Sequence, residues 1–171
     1  MSSTTFRLKR RGPYGPLFVT SDYVFPDAET ERWTADTREL AVHLVRICRN
    51  EQLSSLSAIQ LGVPIRAFVL NVPGDHVRVC INPEVTITDF DEEQYEERCG
   101  SYYSKDAVRY RHRHLILSAN SLEGSPFFLD TADTIFSESV SQQLSCRIQH
   151  EMEHLNGAEV RTEPSQQMEL S

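Results

Sequence analysis

Ile148-Gln149-His150-Glu151-Met152-Glu153-His154-Leu155-Asn156-Gly157, near the end of the 171-residue chain, contains the pattern His-Glu-x-x-His. On a helix, residues four apart lie one above the other, so His150 and His154 can turn both imidazoles toward one ion. Glu151 then stands beside that ion, where a carboxylate can take a proton from water activated by the metal. The helix is legible from its pattern: Val140, Leu144, Ile148 and Met152 recur at every fourth residue, and Leu155 closes the stripe. Ser137 suits the N-cap, Glu138 the first turn and Gly157 the position just past the end. The histidines fall off that stripe, on a second face with Gln143, Cys146 and Arg147 that would line a cleft. The reading is a metal-dependent hydrolytic centre; the bland alternative is a solvated amphipathic helix with two idle histidines.

Two histidines leave a metal short of a ligand. A downstream ligand of the His-x-x-Gly-x-x-His kind is missing, because Val160 occupies that place. Glu159, Glu163 and Glu169 follow without room for another helix. Upstream, Cys99 sits in Glu97-Arg98-Cys99-Gly100-Ser101, and a thiolate with two imidazoles makes an open catalytic site. Cys146 is the rival. With Cys146 the three ligands would span two turns of one helix, roughly 11 Å, too far for one ion. Cys99 is therefore the expected ligand and Cys146 a cleft wall.

Composition bounds the function. Hydrophobic residues make up 39% and charged residues 25%, as in a globular domain long enough to bury a core. A formal net charge of −8 argues against a nucleic-acid binder that relies on phosphate contacts. No run approaches the roughly 18 apolar residues of a membrane span. Arg7, Lys9, Arg10 and Arg11 faintly suggest a transit peptide, but a cytoplasmic protein is expected. Its four cysteines, Cys48, Cys80, Cys99 and Cys146, are then buried, reactive or ligating rather than paired.

Taken in order, residues 1–33 read as an extended arm with repeated Gly-Pro turns. A helix capped by Thr34 or Asp36 runs to about Asn50, and His43 on it is a surface or edge residue. Strands follow over residues 66–72, 77–81 and 84–90, with Pro73-Gly74-Asp75 as a turn and Pro83 as a break. Residues 89–97 read as an acidic loop. Further strands cover 107–110, 114–120 and 126–130, with a hairpin-like turn over 121–125. Arg111 to His114 alternate on an exposed, mixed face. The expectation is a single α+β domain spanning 1–171, with antiparallel strands around the C-terminal helix and one N-terminal helix. Residues 1–11 and 162–171 are expected to be flexible.

Three stretches carry a resemblance to the peptide deformylases. That family has G-x-G-hydrophobic-A-A-x-Q, then E-G-C-hydrophobic-S, then Q-H-E-x-D-H. Here they look like Leu53-Ser54-Ser55-Leu56-Ser57-Ala58-Ile59-Gln60, Glu97-Arg98-Cys99-Gly100-Ser101 and Gln149-His150-Glu151-Met152-Glu153-His154. Tyr14-Gly15-Pro16-Leu17 resembles the family's opening segment, so the likeness spans roughly residues 12 to 160. It implies a deformylase-like fold and one divalent metal held by Cys99, His150 and His154. The metal would be Fe²⁺ foremost, with Zn²⁺, Ni²⁺ or Co²⁺ able to substitute. It also implies Glu151 as general base, and Gln60 with the backbone N–H of Gly100 as donors to the oxyanion. The expected reaction is hydrolysis of an N-formyl group.

Residues expected to shape the substrate pocket depart from the family. Leu53 and Ser55 replace glycines, Arg98 replaces the glycine before the cysteine, and Gly100 replaces a bulky apolar residue. Asp106 stands where the family has an arginine. The pocket, from Ser55, Glu97, Arg98, Gln143, Cys146 and Arg147, is too polar to favour a methionine side chain. The expected substrate is an N-formylated peptide with a polar or acidic side chain, or a small non-peptide formamide. Set against these are an ordinary deformylase whose arginines snorkel away, a non-catalytic metal-binding homologue and an endoprotease. A monomer or weak dimer working near the ribosome is expected, without nucleic-acid or membrane partners.

Overall fold

The computed structural model describes residues 35–61, 63, 65–99 and 107–156. The expected arm, the Tyr14 to Leu17 segment, Gly100, Asp106, Gly157 and the tail lie outside the described residues. Within them the elements run α1 (Ala35–Asn50), β1 (Ser55–Ser57), a 3₁₀ turn (Ala58–Leu61), β2 (Ala67–Asn71), β3 (Val77–Ile87) and β4 (Glu92–Glu97). They continue with β5 (Ala107–His112), β6 (Leu115–Asn120), β7 (Pro126–Asp130) and α2 (Glu138–Leu155). The fold is α+β, as expected, but its strands form two separate sheets. One is a five-stranded antiparallel sheet in the order β1-β2-β3-β6-β7, and the other is the β4-β5 ribbon.

The sheet buries both faces where β2 crosses it. Successive strand side chains point to opposite faces, so the apolar run Ala67-Phe68-Val69-Leu70 serves two cores. Phe68 and Leu70 join Leu115, Leu117 and Leu129 against Leu144, Ile148 and Leu155 of α2. Ala67 and Val69 turn to the other side, against Leu40, Leu44 and Cys48 of α1. Helix α2 begins as its sequence dictates. Ser137 is extended at φ −68°, ψ 156°, and its hydroxyl accepts from the Val140 N–H. At the other end Arg66 Nη1 donates to the Leu155 carbonyl at 3.2 Å, satisfying a carbonyl that the helix leaves open.

Several boundaries differ from the sequence reading. Asp36 lies inside α1 rather than capping it, and Thr34 is not described. Pro83 does not break the strand: β3 runs through it, with a register shift between Ile81 and Glu84 opposite β6. Asn82 absorbs the extra residue at φ 47°, a conformation asparagine tolerates, and its N–H donates to the Arg66 carbonyl at 2.9 Å. A proline without an N–H fits at such a bulge. The acidic loop is mostly strand, because Glu92–Glu97 pairs with β5 and sets Glu93 opposite Arg111 and Glu92 opposite His112. Arg113 Nε lies 3.3 Å from Glu93 Oε1 across the ribbon, and such opposite charges support pairing that the acids alone would resist. β5 accordingly runs on to His112, and β6 starts at Leu115. The mixed face over Arg111 to His114 is not exposed throughout, since Arg111 is only 4% exposed.

The N-terminal half of α2 is fastened by side chains that carry no chemistry. Ser141 donates to the Thr131 carbonyl, and Thr131 Oγ1 both donates to the Leu115 carbonyl and accepts its N–H. Among the described residues no helix is long and apolar enough to cross a membrane. Leu144, fully buried in the seam between α2 and the sheet, tests that seam. Leu144→Ala is expected to cost about 2–5 kcal/mol, read as a lower urea midpoint at unchanged slope. A loss below about 1 kcal/mol would mean that the seam does not hold the helix.

Candidate metal centre

Cys99 leaves the end of β4 and meets α2 at His150 and His154. Its sulfur lies 3.3 Å from His154 Nε2, which lies 3.2 Å from His150 Nε2. The three ligand atoms all fall within 4.8 Å of one another, and both histidines are buried. Ligands about 2.0–2.3 Å from one tetrahedral ion stand roughly 3.3–3.7 Å apart, so the spacing suits a single ion. One sulfur and two imidazole nitrogens are donors that transition metals and zinc accept. The residues present therefore fit a divalent metal of that kind.

The electrostatics agree with the geometry. His150 Nδ1 donates to Glu97 Oε2 at 2.9 Å, which turns the Nε2 lone pair toward the other ligands. Burial alone would depress the basicity of His150, but the Cys99 sulfur and the Glu97 carboxylate outweigh it and lift the pKa to about 10. Surroundings that favour a proton at that position also favour a metal cation. Burial, then the charge of His150, hold His154 down to about 3, in the neutral form that a ligand needs.

Glu97 was expected in the pocket wall, yet its carboxylate is committed elsewhere. Burial would raise it, but hydrogen bonds from Arg111 and His150 hold its pKa at about 2. Arg111 Nε donates to Glu97 Oε1 at 2.5 Å and Nη2 to Oε2 at 2.9 Å; the same guanidinium pairs with Glu153 on α2. Cys146 adds a fourth contact, giving its S–H to Glu97 Oε1 at 3.1 Å. Arg111 and Glu153 are the residues that the sequence reading missed. Glu153 lay in view inside the third motif, but nothing in the letters paired it with an arginine 42 residues upstream.

Glu151 is 1% exposed and lies beside the ligand set. Ser55 Oγ donates to its Oε1 at 2.6 Å, while Oε2 has no hydrogen-bond partner among the described residues. Burial raises its pKa, opposed by His150 and Ser55. A buried carboxylate with one oxygen fixed and the other open can hold a proton in transit. Gln60 is fixed in the same way. Its Oε1 accepts the Ser57 N–H at 2.9 Å and hydroxyl at 3.2 Å, so Nε2 turns to Cys99 Sγ at 3.6 Å.

These groups line one cleft of about 790 Å³. Ser55, Gln60, Glu97, Arg98, Cys99, Gln143, Cys146, Arg147, His150 and Glu151 all border it, together with Tyr95, which the sequence reading did not single out. Gln149 does not face it: its amide pairs with the backbone of His112, donating to the carbonyl at 3.0 Å and accepting the N–H at 3.1 Å. The backbone of Gly100 is outside the described residues.

Comparison with known proteins agrees with this arrangement. The family model described as polypeptide deformylase matches residues 25–166. The chain belongs to the polypeptide deformylase family. It is 31% identical over 148 residues to a peptide deformylase of Rhizobium meliloti, covering 83% of this chain and 80% of that one. With the Bartonella henselae peptide deformylase it shares 28% over 151 residues, 85% of this chain and 81% of that one. A solved deformylase of Thermotoga maritima matches with TM-score 0.68 at 21% identity, over 94% of this chain and 99% of that chain. A deformylase of Acinetobacter baumannii described with Met-Ala-Ser bound matches at 0.71 and 19%, over 92% and 96%. At these identities the solved structures show the shared fold.

The link from Glu97 to His150 can be tested without turnover. Glu97→Gln is expected to weaken metal affinity about 10–100-fold in chelator competition. Unchanged affinity would show that Glu97 does not orient the ligand. Arg111→Met, which leaves Glu97 and Glu153 without their cation, is expected to lower stability by about 3–5 kcal/mol in urea unfolding.

Proposed function

We propose that this deformylase-family chain removes the formyl group from the N-terminal amine of peptides, with a substrate side chain more polar than methionine. The convergence of Cys99, His150 and His154 at a cleft bordered by Cys99, His150 and Glu151 carries the reading. A divalent ion held by these three residues, Fe²⁺ foremost, would act as a Lewis acid and make water nucleophilic near neutral pH. Glu151 takes the proton of the attacking water on Oε2, with Oε1 tied to Ser55, and passes it to the departing amine. Gln60 Nε2 donates to the carbonyl oxygen as charge develops there. The N–H of Gly100 is assigned as the second donor on its place in the motif. Glu97 positions His150, and Arg111 positions Glu97; neither touches the reacting atoms. The products are formate and a free α-amine.

The other expected readings have less support. The endoprotease needed a ligand after Gly157, and Cys99 stands in for it. The small non-peptide formamide has no observation in its favour, and the relatives are named for peptides. The polar preference rests on Gln143, Arg147 and Arg98 along the cleft, where an apolar wall would suit methionine. Cytoplasmic placement, near the source of formylated chains, goes with this proposal.

Glu151→Ala separates binding from chemistry. It is expected to keep its metal while formate release from a formyl-peptide panel falls by at least about 10²-fold, the scale of losing a positioned acid-base group. A metal-loaded wild type that releases no formate from any formyl-peptide would overturn the reading. So would a Glu151→Ala variant with full turnover.

A further inference from the structure

Arg147 is a guanidinium beside the metal site whose charge no acid answers among the described residues. It lies on α2 with Gln143 one turn before it and Glu151 one turn after it, so the three share a face of the helix. All three border the cleft. The arginine is half-buried, and its one hydrogen bond runs from Nη2 to the neutral Gln143 Oε1, 3.3 Å away. The contrast with Arg111 is sharp, since that guanidinium meets two carboxylates. Burial lowers the pKa of Arg147, as expected for a cation drawn out of water without compensation.

The acids nearby do not supply that compensation. Glu97 is held by Arg111, His150 and Cys146. Glu151 accepts from Ser55 on Oε1 and is buried one turn further along the helix, beside the ligand set. Glu51 and Glu96 also border the cleft but are exposed to solvent. An arginine kept half-buried and unpaired is costly in a wall that could be apolar, and a carboxylate supplied from outside would remove the cost.

We propose that Arg147 is a specificity-determining residue that binds a side-chain carboxylate on the formylated residue, so that the preferred substrates are N-formyl-glutamyl or N-formyl-aspartyl peptides. The inference rests on the deformylase reading and narrows its substrate. The planar guanidinium offers two parallel N–H groups to a carboxylate, and Gln143 holds the fork from the side away from Glu151. A carboxylate could also come from the C-terminus of a very short peptide. The chemistry is the same, and amidated peptides distinguish the two sources.

The test uses the metal-loaded full chain with formyl-Glu-Ala-amide, formyl-Gln-Ala-amide and formyl-Met-Ala-amide. Wild type is expected to favour Glu over Gln by at least about tenfold in kcat/KM, the scale of one charge-assisted pair. Arg147→Met should bring that ratio near one while the Met peptide is cleaved at least as well, and Arg147→Lys should keep part of the ratio. Thermal melting is expected to show Arg147→Met no less stable than wild type; if it does not fold, Arg147→Gln takes its place. A Glu/Gln ratio near one in wild type overturns the proposal, as does a ratio that survives Arg147→Met. Selection of formyl-Gln-Ala with a free C-terminus over its amide, lost in Arg147→Met, would move the contact to the wrong carboxylate and also overturn it. If no formyl-peptide is cleaved, the deformylase reading fails, and binding decides on Arg147 alone. Acetyl-Glu-Ala-amide should then bind wild type at least about tenfold more tightly than acetyl-Gln-Ala-amide by calorimetry, with the difference lost in Arg147→Met; equal binding overturns it.

Discussion

The carboxylate of Glu97 is the point on which the centre depends. It is 8% exposed and receives two bonds from Arg111, one from His150 and one from Cys146. A buried charge is tolerable only when its oxygens are satisfied, and here each has partners of the right sign. The arrangement fixes which nitrogen of His150 is free to bind. It also joins three elements, because Glu97 ends β4, Arg111 lies on β5, and Glu153 and His150 lie on α2. Removing Arg111 leaves the buried Glu97 without its guanidinium, and removing Glu97 takes partners from Arg111, His150 and Cys146 at once, so the cluster is cooperative by construction.

Its position depends on how the small ribbon meets the helix. The β4-β5 ribbon has no place in the main sheet, so nothing in that ladder holds it. Gln149 supplies the connection by pairing both amide groups with the His112 backbone, and Ser145 adds a bond to the same carbonyl at 2.7 Å. One edge of β5 thus finds on a helix the partners that a further strand would give it. With β5 fixed, its partner β4 delivers Cys99 to the histidines. The glutamine just before His150 therefore serves the scaffold.

Substitution at the family's glycines has two different consequences. Ser55 puts a hydroxyl on the catalytic carboxylate candidate and so adds an orienting contact where a glycine has no side chain to give. Arg98 adds charge to the cleft instead, and Arg147 on α2 adds more from a position that is not one of those glycines. The set proposed for bond cleavage and the set proposed for choosing a substrate thus sit on different parts of the same helix: His150, Glu151 and His154 in its last turns, Gln143 and Arg147 one to two turns earlier. Such separation lets one set change while the other is kept.

The sequence by itself determined the helices and most of the strands, because their cues are local. The fourfold stripe of α2, its Ser137 cap and the apolar run of β2 each lie within a few residues of chain. It also singled out Cys99, His150 and His154 as the residues that the fold then brings within 4.8 Å of one another, since His-Glu-x-x-His places two rings on one helix face and few cysteines compete for the third position. Only the tertiary structure decided that an acidic stretch becomes a strand, that Pro83 rests in a bulge, and that Arg111 is buried between Glu97 and Glu153. Those outcomes depend on partners brought together across 14 to 42 residues, and the energy of a charge is set by what lies beside it in space. Residue order records the charges; folding alone assigns their neighbours.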